Sequence, residues 1–235
     1  MIRKANSPIF NLLFSSAIRK RMMGSQPSSP LHFGPFEVTS QVFFTTPYSF
    51  ALVNLKPLLP GHVLVCPKKP HKRLTELTAP ELTDLFQAVQ VVQRLLAKYY
   101  FSHSWFEKNG HDTATADGTP TAGSFNIAIQ DGQEAGQTVA HLHVHVIPRI
   151  RGETAKEEAG PGDQIYEWMA AEDGNVGGAL WDREIKKLRP QLGNRPEPGG
   201  GFPSIEDSER HPRTAEVMEA EAEEYRGVLK QMYEE

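Results

Sequence analysis

From Thr138 to Ile147 the chain reads TVAHLHVHVI, with apolar residues at 140, 142, 144 and 146 and histidines at 141, 143 and 145. A period of two is the period of a strand, whose successive side chains point to opposite faces. Ala140, Leu142, Val144 and Val146 would then form an apolar core face. His141, His143 and His145 would share the outward face, with Val139 and Ile147 at its ends. Three of the nine histidines of the chain fall within five residues, so chance placement explains them poorly.

Three uses of such a row compete. It can be a solvated or hydrogen-bonded surface. It can ligate zinc, although about 3.3 Å per residue separates the Cα atoms of His141 and His145 by about 13 Å. Zinc–nitrogen bonds of about 2.1 Å do not let all three share one ion on a regular strand. It can also serve phosphate chemistry, a central imidazole attacking phosphorus while its neighbours hold the oxygens. Imidazole is largely neutral, hence nucleophilic, at about pH 7, and this third reading is favoured.

Composition bounds the classes. The chain has 235 residues, 39% hydrophobic and 23% charged, enough for a folded core. No run approaches the roughly 18–20 apolar residues of a membrane span. A single cysteine, Cys66, excludes an internal disulfide and a multi-cysteine metal cluster. It precedes Pro67 in an apolar run and reads as a small buried residue rather than a nucleophile. The net charge of −4 argues against coating nucleic acid by bulk attraction. An intracellular protein with neither a membrane nor a nucleic-acid partner is expected.

Residues 1–30 are basic, amphipathic and without an acid; the first carboxylate is Glu37. A mitochondrial transit peptide and a disordered tail fit them equally. Residues 31–150 read as the folded core. Segments 41–46, 49–55 and 61–66 are rich in β-branched and aromatic residues, and 124–130 and 138–147 supply two more strands. Thr78 and Glu81 form a capping box opening a helix with an apolar stripe of Leu82, Leu85, Phe86, Val89, Val92 and Leu96. The fold class is therefore α+β, a mostly antiparallel five-stranded sheet with a flanking helix. Residues 102–123 lack periodicity and read as a flexible insertion. Residues 151–212 form a Gly/Pro-rich segment with one apolar patch near Tyr166. Met218, Ala222, Tyr225, Leu229 and Met232 predict an amphipathic terminal helix over 213–235.

The string His141-Leu142-His143-Val144-His145-Val146-Ile147 resembles the signature of the histidine triad superfamily of nucleotide hydrolases and transferases. Residues 50–67 (FALVNLKPLLPGHVLVCP) and 130–139 (QDGQEAGQTV) narrow the likeness to its fragile histidine triad branch, the diadenosine polyphosphate hydrolases. The resemblance covers roughly residues 33–101 and 124–150. It implies attack of His143 on the α-phosphorus, a nucleotidyl-histidine intermediate, and release of AMP by water. His145 would contact the α-phosphate and His141 would support the site. Gln130 and Gln137 would donate amide protons, and the backbone of Gly136, Gln137, Thr138 and Val139 would cradle phosphate oxygens, since few Lys or Arg stand near the motif. Asn54 would bond the ribose, and Phe33, Val38, Leu52 and Leu64 would wall the adenine, ordinary core packing being the competing reading for Phe33 and Val38. His62 would orient a neighbour in the site or close a turn.

The resemblance further implies a homodimer whose sheets join across a two-fold. Mg or Mn would be carried with the polyphosphate, with no tightly bound cofactor and no dedicated metal site. A cytoplasmic location with a nuclear pool is expected, and a mitochondrial form if residues 1–30 are a transit peptide. Phe36 departs from the pattern, standing where many members carry a histidine. Two other classes stay open: a nucleoside phosphoramidase or nucleotidyl transferase, and a slow-turnover signalling module docking through Tyr166 and the acidic terminal helix.

Overall fold

Apolar runs between turn residues become strands. In the computed structural model, which describes residues 29–110, 116–155 and 212–234, a five-stranded sheet comprises β3 (Val42–Thr45), β4 (Ser49–Val53), β5 (Val63–Pro67), β6 (Ser124–Ala128) and β7 (Val144–Arg149). The strand order is β3-β4-β5-β7-β6, and each neighbouring pair is antiparallel, as expected for this fold class. A short hairpin of β1 (His32–Phe33) and β2 (Phe36–Glu37) precedes the sheet.

Register places Val42, Leu52, Leu64, His145 and Ala128 in one row across all five strands, so their side chains share a face. The opposite face carries Ala51, Val53, Val63, Val65, Val144 and Val146. Helix α1 (Ala79–Tyr100) lies against β4, β5 and β7, and at its end Tyr100 and Pro148 close on Gly61. A Cβ at Gly61 would meet both side chains, and its φ of +76° disfavours any other residue.

The capping box forms. The Thr78 N–H and hydroxyl donate to Glu81 Oε2 at 2.9 and 2.8 Å. The backbone bond, with help from His71 and the Thr78 hydroxyl, holds the Glu81 carboxyl down to about 2. Leu85, Val89, Val92 and Leu96 are buried as the stripe predicts, but Leu82 and Phe86 are exposed. The buried face is centred on Ala88, Val92 and Leu95; at about 100° per residue Leu82 and Phe86 turn to its flanks.

The 102–123 segment is more ordered than its composition suggests. Ser102 caps α2 (His103–Lys108), whose Phe106 is buried, and Ala116 and Ala122 bury on the far side. Three buried side chains are too few to leave a periodic signal; residues 111–115 lie outside the described residues. Phe36 joins the apolar core.

Helix α3 (Ala215–Glu234) forms where the spacing predicts it and packs on α1, β3 and β4 through Met218, Ala222, Tyr225 and Leu229. The Tyr225 ring meets Phe43 at 5.1 Å and Tyr99 at 5.6 Å. Residues 1–28 and 156–211, with Tyr166, lie outside the described residues. Among those described, no helix is long and apolar enough to cross a membrane.

Candidate active site

The three histidines converge, but not as alternate residues of one strand. β7 begins only at Val144, so His145 alone is paired in the sheet, opposite Leu64 and Ala128. Upstream, His141 N–H donates to Val139 O at 2.7 Å and Leu142 N–H to His71 O at 2.6 Å. These bonds turn residues 139–143 out of the ladder. Nor is the histidine face outward: His141, His143 and His145 are at most 3% exposed, and every residue of β7 is buried. The Phe33 ring of the hairpin lies 5.5 Å from His141 and 5.1 Å from His143, and Phe50 meets His141 at 6.2 Å. A cover contributed from far away in sequence leaves no mark on the local alternation.

Hydrogen-bond partners fix the proton on each ring. Gly34 N–H donates to His141 Nδ1 at 3.0 Å, so the proton sits on Nε2, which donates to Pro67 O at 2.7 Å. His143 Nδ1 lies 2.8 Å from the His141 carbonyl oxygen, which only accepts. Nδ1 therefore carries the proton and Nε2 holds a free lone pair. Leu58 N–H donates to His62 Nδ1 at 3.1 Å, leaving His62 Nε2 to donate to His145 Nδ1 at 2.9 Å. His145 then bears its proton on Nε2, a buried atom with no partner among the described residues.

Burial keeps all three rings neutral. It drives His143 down to about 4, His145 well below the ordinary imidazole range with help from nearby His143 and His62, and His141 down despite its bond to Pro67. The His143 and His145 rings are 4.9 Å apart. A ring with a lone pair and a ring with an unsatisfied N–H are thus neighbours. An orphaned buried donor costs about 1–3 kcal/mol, and a native fold keeps one where a ligand satisfies it. A nucleophile beside a donor suits an electrophile bearing an anionic oxygen, as a phosphoryl group does.

The other sequence-predicted residues divide. Leu52 and Leu64 adjoin His145 in the same row, and Phe33 covers His141 and His143. Asn54, one residue beyond β4, is buried with its amide nitrogen 3.3 Å from both ring nitrogens of His62. His62 thus bonds both to the turn, through Leu58 N–H, and to its neighbour His145. Val38 is buried in the apolar core beyond β2. In the 130–139 loop, Gly136 takes a φ of +87° after a short turn at Gln133–Ala135, and the Gln130 amide rests against it. Gln137 gives an amide proton to Lys72 O at 2.9 Å. Thr138 leads to Val139, buried beneath Gly34. Cys66 is buried on β5 and burial pushes its thiol up, so no reactive thiolate is present.

The segment before α1 was not singled out in the sequence. Arg73 Nη1 donates to Asp131 O and the guanidinium crowds Gly132, while Leu74 N–H donates to Asp131 Oδ1 at 3.0 Å. With the Lys72 carbonyl, which accepts from Gln137, this strap grips the 130–137 loop and brings one guanidinium against it. That guanidinium comes from 58 residues upstream, which local sequence does not reveal. Among the described residues, no three His, Cys, Asp or Glu side chains gather as metal ligands.

A family model of the HIT domain matches residues 35–152. The "Bis(5'-nucleosyl)-tetraphosphatase [asymmetrical]" of Schizosaccharomyces pombe is 38% identical over 207 residues, 87% of this chain and 97% of its own. The "Bifunctional bis(5'-adenosyl)-triphosphatase/adenylylsulfatase FHIT" of Arabidopsis thaliana is 34% identical over 215 residues, 91% of this chain and 92% of its own. The crystal structure of the C. elegans NitFhit protein superposes with a TM-score of 0.51 at 28% identity, over 87% of this chain and 31% of that one.

Proposed function

This chain belongs to the histidine triad (HIT) family, in its fragile histidine triad branch, and on that premise we propose that it hydrolyses dinucleoside polyphosphates. The observation that carries the reading is the unprotonated Nε2 of His143 beside the unpartnered Nε2–H of His145. Relatives named for triphosphate and tetraphosphate substrates support the substrate class.

In the proposed reaction His143 Nε2 forms a bond to the α-phosphorus of diadenosine triphosphate. The bond from that phosphorus to its bridging oxygen breaks, and ADP leaves. Water then attacks the nucleotidyl-histidine, the P–N bond breaks, and AMP departs with His143 restored. His145 Nε2–H donates to a non-bridging oxygen in both steps, from a buried position where such a bond is strong. His141, bonded at both nitrogens to backbone, holds the carbonyl that fixes the tautomer of His143. Gln130, Gly136, Gln137, Thr138 and Val139 border the polyphosphate; Asn54 meets the ribose, and Phe33, Val38, Leu52 and Leu64 the base. Mg or Mn enters with the polyphosphate as part of the substrate. The protein acts as a homodimer, for which the sheet edge at β6, paired on one side only and with Ile127 exposed, supplies a terminal strand.

Steady-state hydrolysis by wild type and His143→Asn tests the reading, with diadenosine triphosphate, diadenosine tetraphosphate and adenosine phosphoramidate as substrates. AMP plus ADP is expected from diadenosine triphosphate with wild type alone, faster than phosphoramidate cleavage. Faster phosphoramidate cleavage would replace the reading with a phosphoramidase. Nucleotide binding without turnover of any substrate would point to a signalling role.

A further inference from the structure

The segment entering the C-terminal helix reaches toward the site through Arg213. Arg213, two residues before α3, donates from Nε to the Asn54 carbonyl oxygen at 3.1 Å and from Nη2 to the same atom. Its backbone N–H donates to Leu55 O at 3.1 Å. Nη1 is held by Glu221 Oε2 within α3, and Glu221 Oε1 accepts from the Tyr225 hydroxyl at 2.7 Å. The Tyr225 hydroxyl lies 3.0 Å from that of Tyr100 on α1, so the clasp is anchored in the core. Arg213 and Glu221 are 19% and 17% exposed, which removes them from the class of solvated surface pairs that contribute little.

Asn54 is where this clasp is needed. β4 pairs with β5 only as far as Val53, so the sheet ladder does not supply a partner for the Asn54 carbonyl, although the residue is fully buried. A buried carbonyl needs a donor, and Arg213 offers two in a rigid fork. Asn54 in turn places its carboxamide against His62, with Oδ1 accepting from Lys56 N–H at 3.2 Å, and His62 holds His145. A continuous run of contacts therefore joins Tyr225, Glu221, Arg213, Asn54, His62 and His145.

We propose that Arg213 is a positioning residue of the nucleotide site: held by Glu221, it fixes the backbone at Asn54 and so aims the carboxamide that meets the sugar. The C-terminal helix is then a working part of the site and not only packing. This rests on the dinucleotide reading above, in which Asn54 meets the ribose.

Affinity for AMP by calorimetry and KM and kcat for diadenosine triphosphate test it in the full chain. Arg213→Gln is expected to weaken AMP binding and raise KM by about tenfold, the loss of one charge-assisted bond, with kcat within about threefold. Glu221→Gln moves both in the same direction by about threefold, and it decides the matter if Arg213→Gln does not fold. Leu229→Ala, which cuts the core packing of the same helix, lowers the thermal midpoint and leaves both affinities at the wild-type value. Wild-type affinity and KM in Arg213→Gln would overturn the proposal, as would an equal loss in Leu229→Ala. A wild type that binds AMP but hydrolyses no dinucleoside polyphosphate would overturn the functional reading alone, with the AMP titration still deciding the role of Arg213.

Discussion

His143 and His145 stand two residues apart, are equally buried and are both driven toward the neutral form, yet they carry their protons on opposite nitrogens. The difference lies in what each Nδ1 meets. His143 Nδ1 faces a carbonyl two residues back in its own chain, a local acceptor that forces the proton onto Nδ1. His145 Nδ1 faces an N–H supplied by His62 across the sheet, a donor that forces the proton away. One ring becomes a nucleophile and the other a donor through an uncharged hydrogen-bond partner in each case, a backbone carbonyl and the His62 imidazole. A backbone bond is hard to remove by mutation, whereas a side-chain relay can be cut, so the two arms differ in how they can be broken.

Removing the local arm has the largest effect. His143→Asn deletes the nucleophile, and turnover of diadenosine triphosphate falls by at least about 10³-fold, with AMP binding retained. Cutting the relay costs less. His62→Phe leaves His145 Nδ1 and Leu58 N–H without their partner, and kcat falls by about 10- to 100-fold while the covalent intermediate still forms, as rapid-quench assays would show. Wild-type kcat in that variant would mean that the proton position on His145 is set elsewhere.

Acidity tests the neutrality of His143. An unfolded imidazole titrates near about pH 6.5, while burial holds folded His143 down at about 4. Between those values the unfolded chain binds a proton that the native ring refuses, so stability falls as pH falls. The His143 contribution is present in full above about pH 6.5 and is lost progressively toward about pH 4. Urea titrations should show wild type losing on the order of 2 kcal/mol more than His143→Asn between about pH 7 and about pH 5. Equal losses would contradict a neutral buried His143.

The smallest effect is expected at the cover. Gly34 has a φ of +56°, its N–H holds His141 Nδ1, and a Cβ there would stand 2.5 Å from Val139 Cγ1. Gly34→Ala lowers stability by about 1–2 kcal/mol in urea titrations, with kcat reduced severalfold because His141 loses its anchor. Unchanged stability would show that the hairpin adjusts freely.

How much of this was legible beforehand depends on where each partner lies in the chain. Strands β3, β4, β5 and β6, the Thr78–Glu81 cap and the buried stripe of α3 are written in local spacing and stand where the sequence places them, whereas β7 starts at Val144 and not at Thr138. The convergence of His141, His143 and His145 was legible as residue type, but its geometry was not. Residues 139–143 leave the strand because Leu142 bonds to His71, a contact between segments about seventy residues apart in sequence. The histidine face is covered by Phe33, about a hundred residues upstream. The Arg73 strap and the Arg213 clasp arise in the same way, from single polar side chains in stretches without periodicity. Long-range hydrogen bonds to backbone carbonyls leave no pattern in either partner's sequence.

The proton positions are the central claim, and long-range nitrogen–proton correlation spectra of the histidine rings at about pH 7 read them directly. The arrangement of partners predicts Nδ1–H for His143 and Nε2–H for His145, His141 and His62, all neutral. A His143 ring protonated on Nε2, or on both nitrogens, would leave it without a free lone pair on Nε2 and would contradict the account.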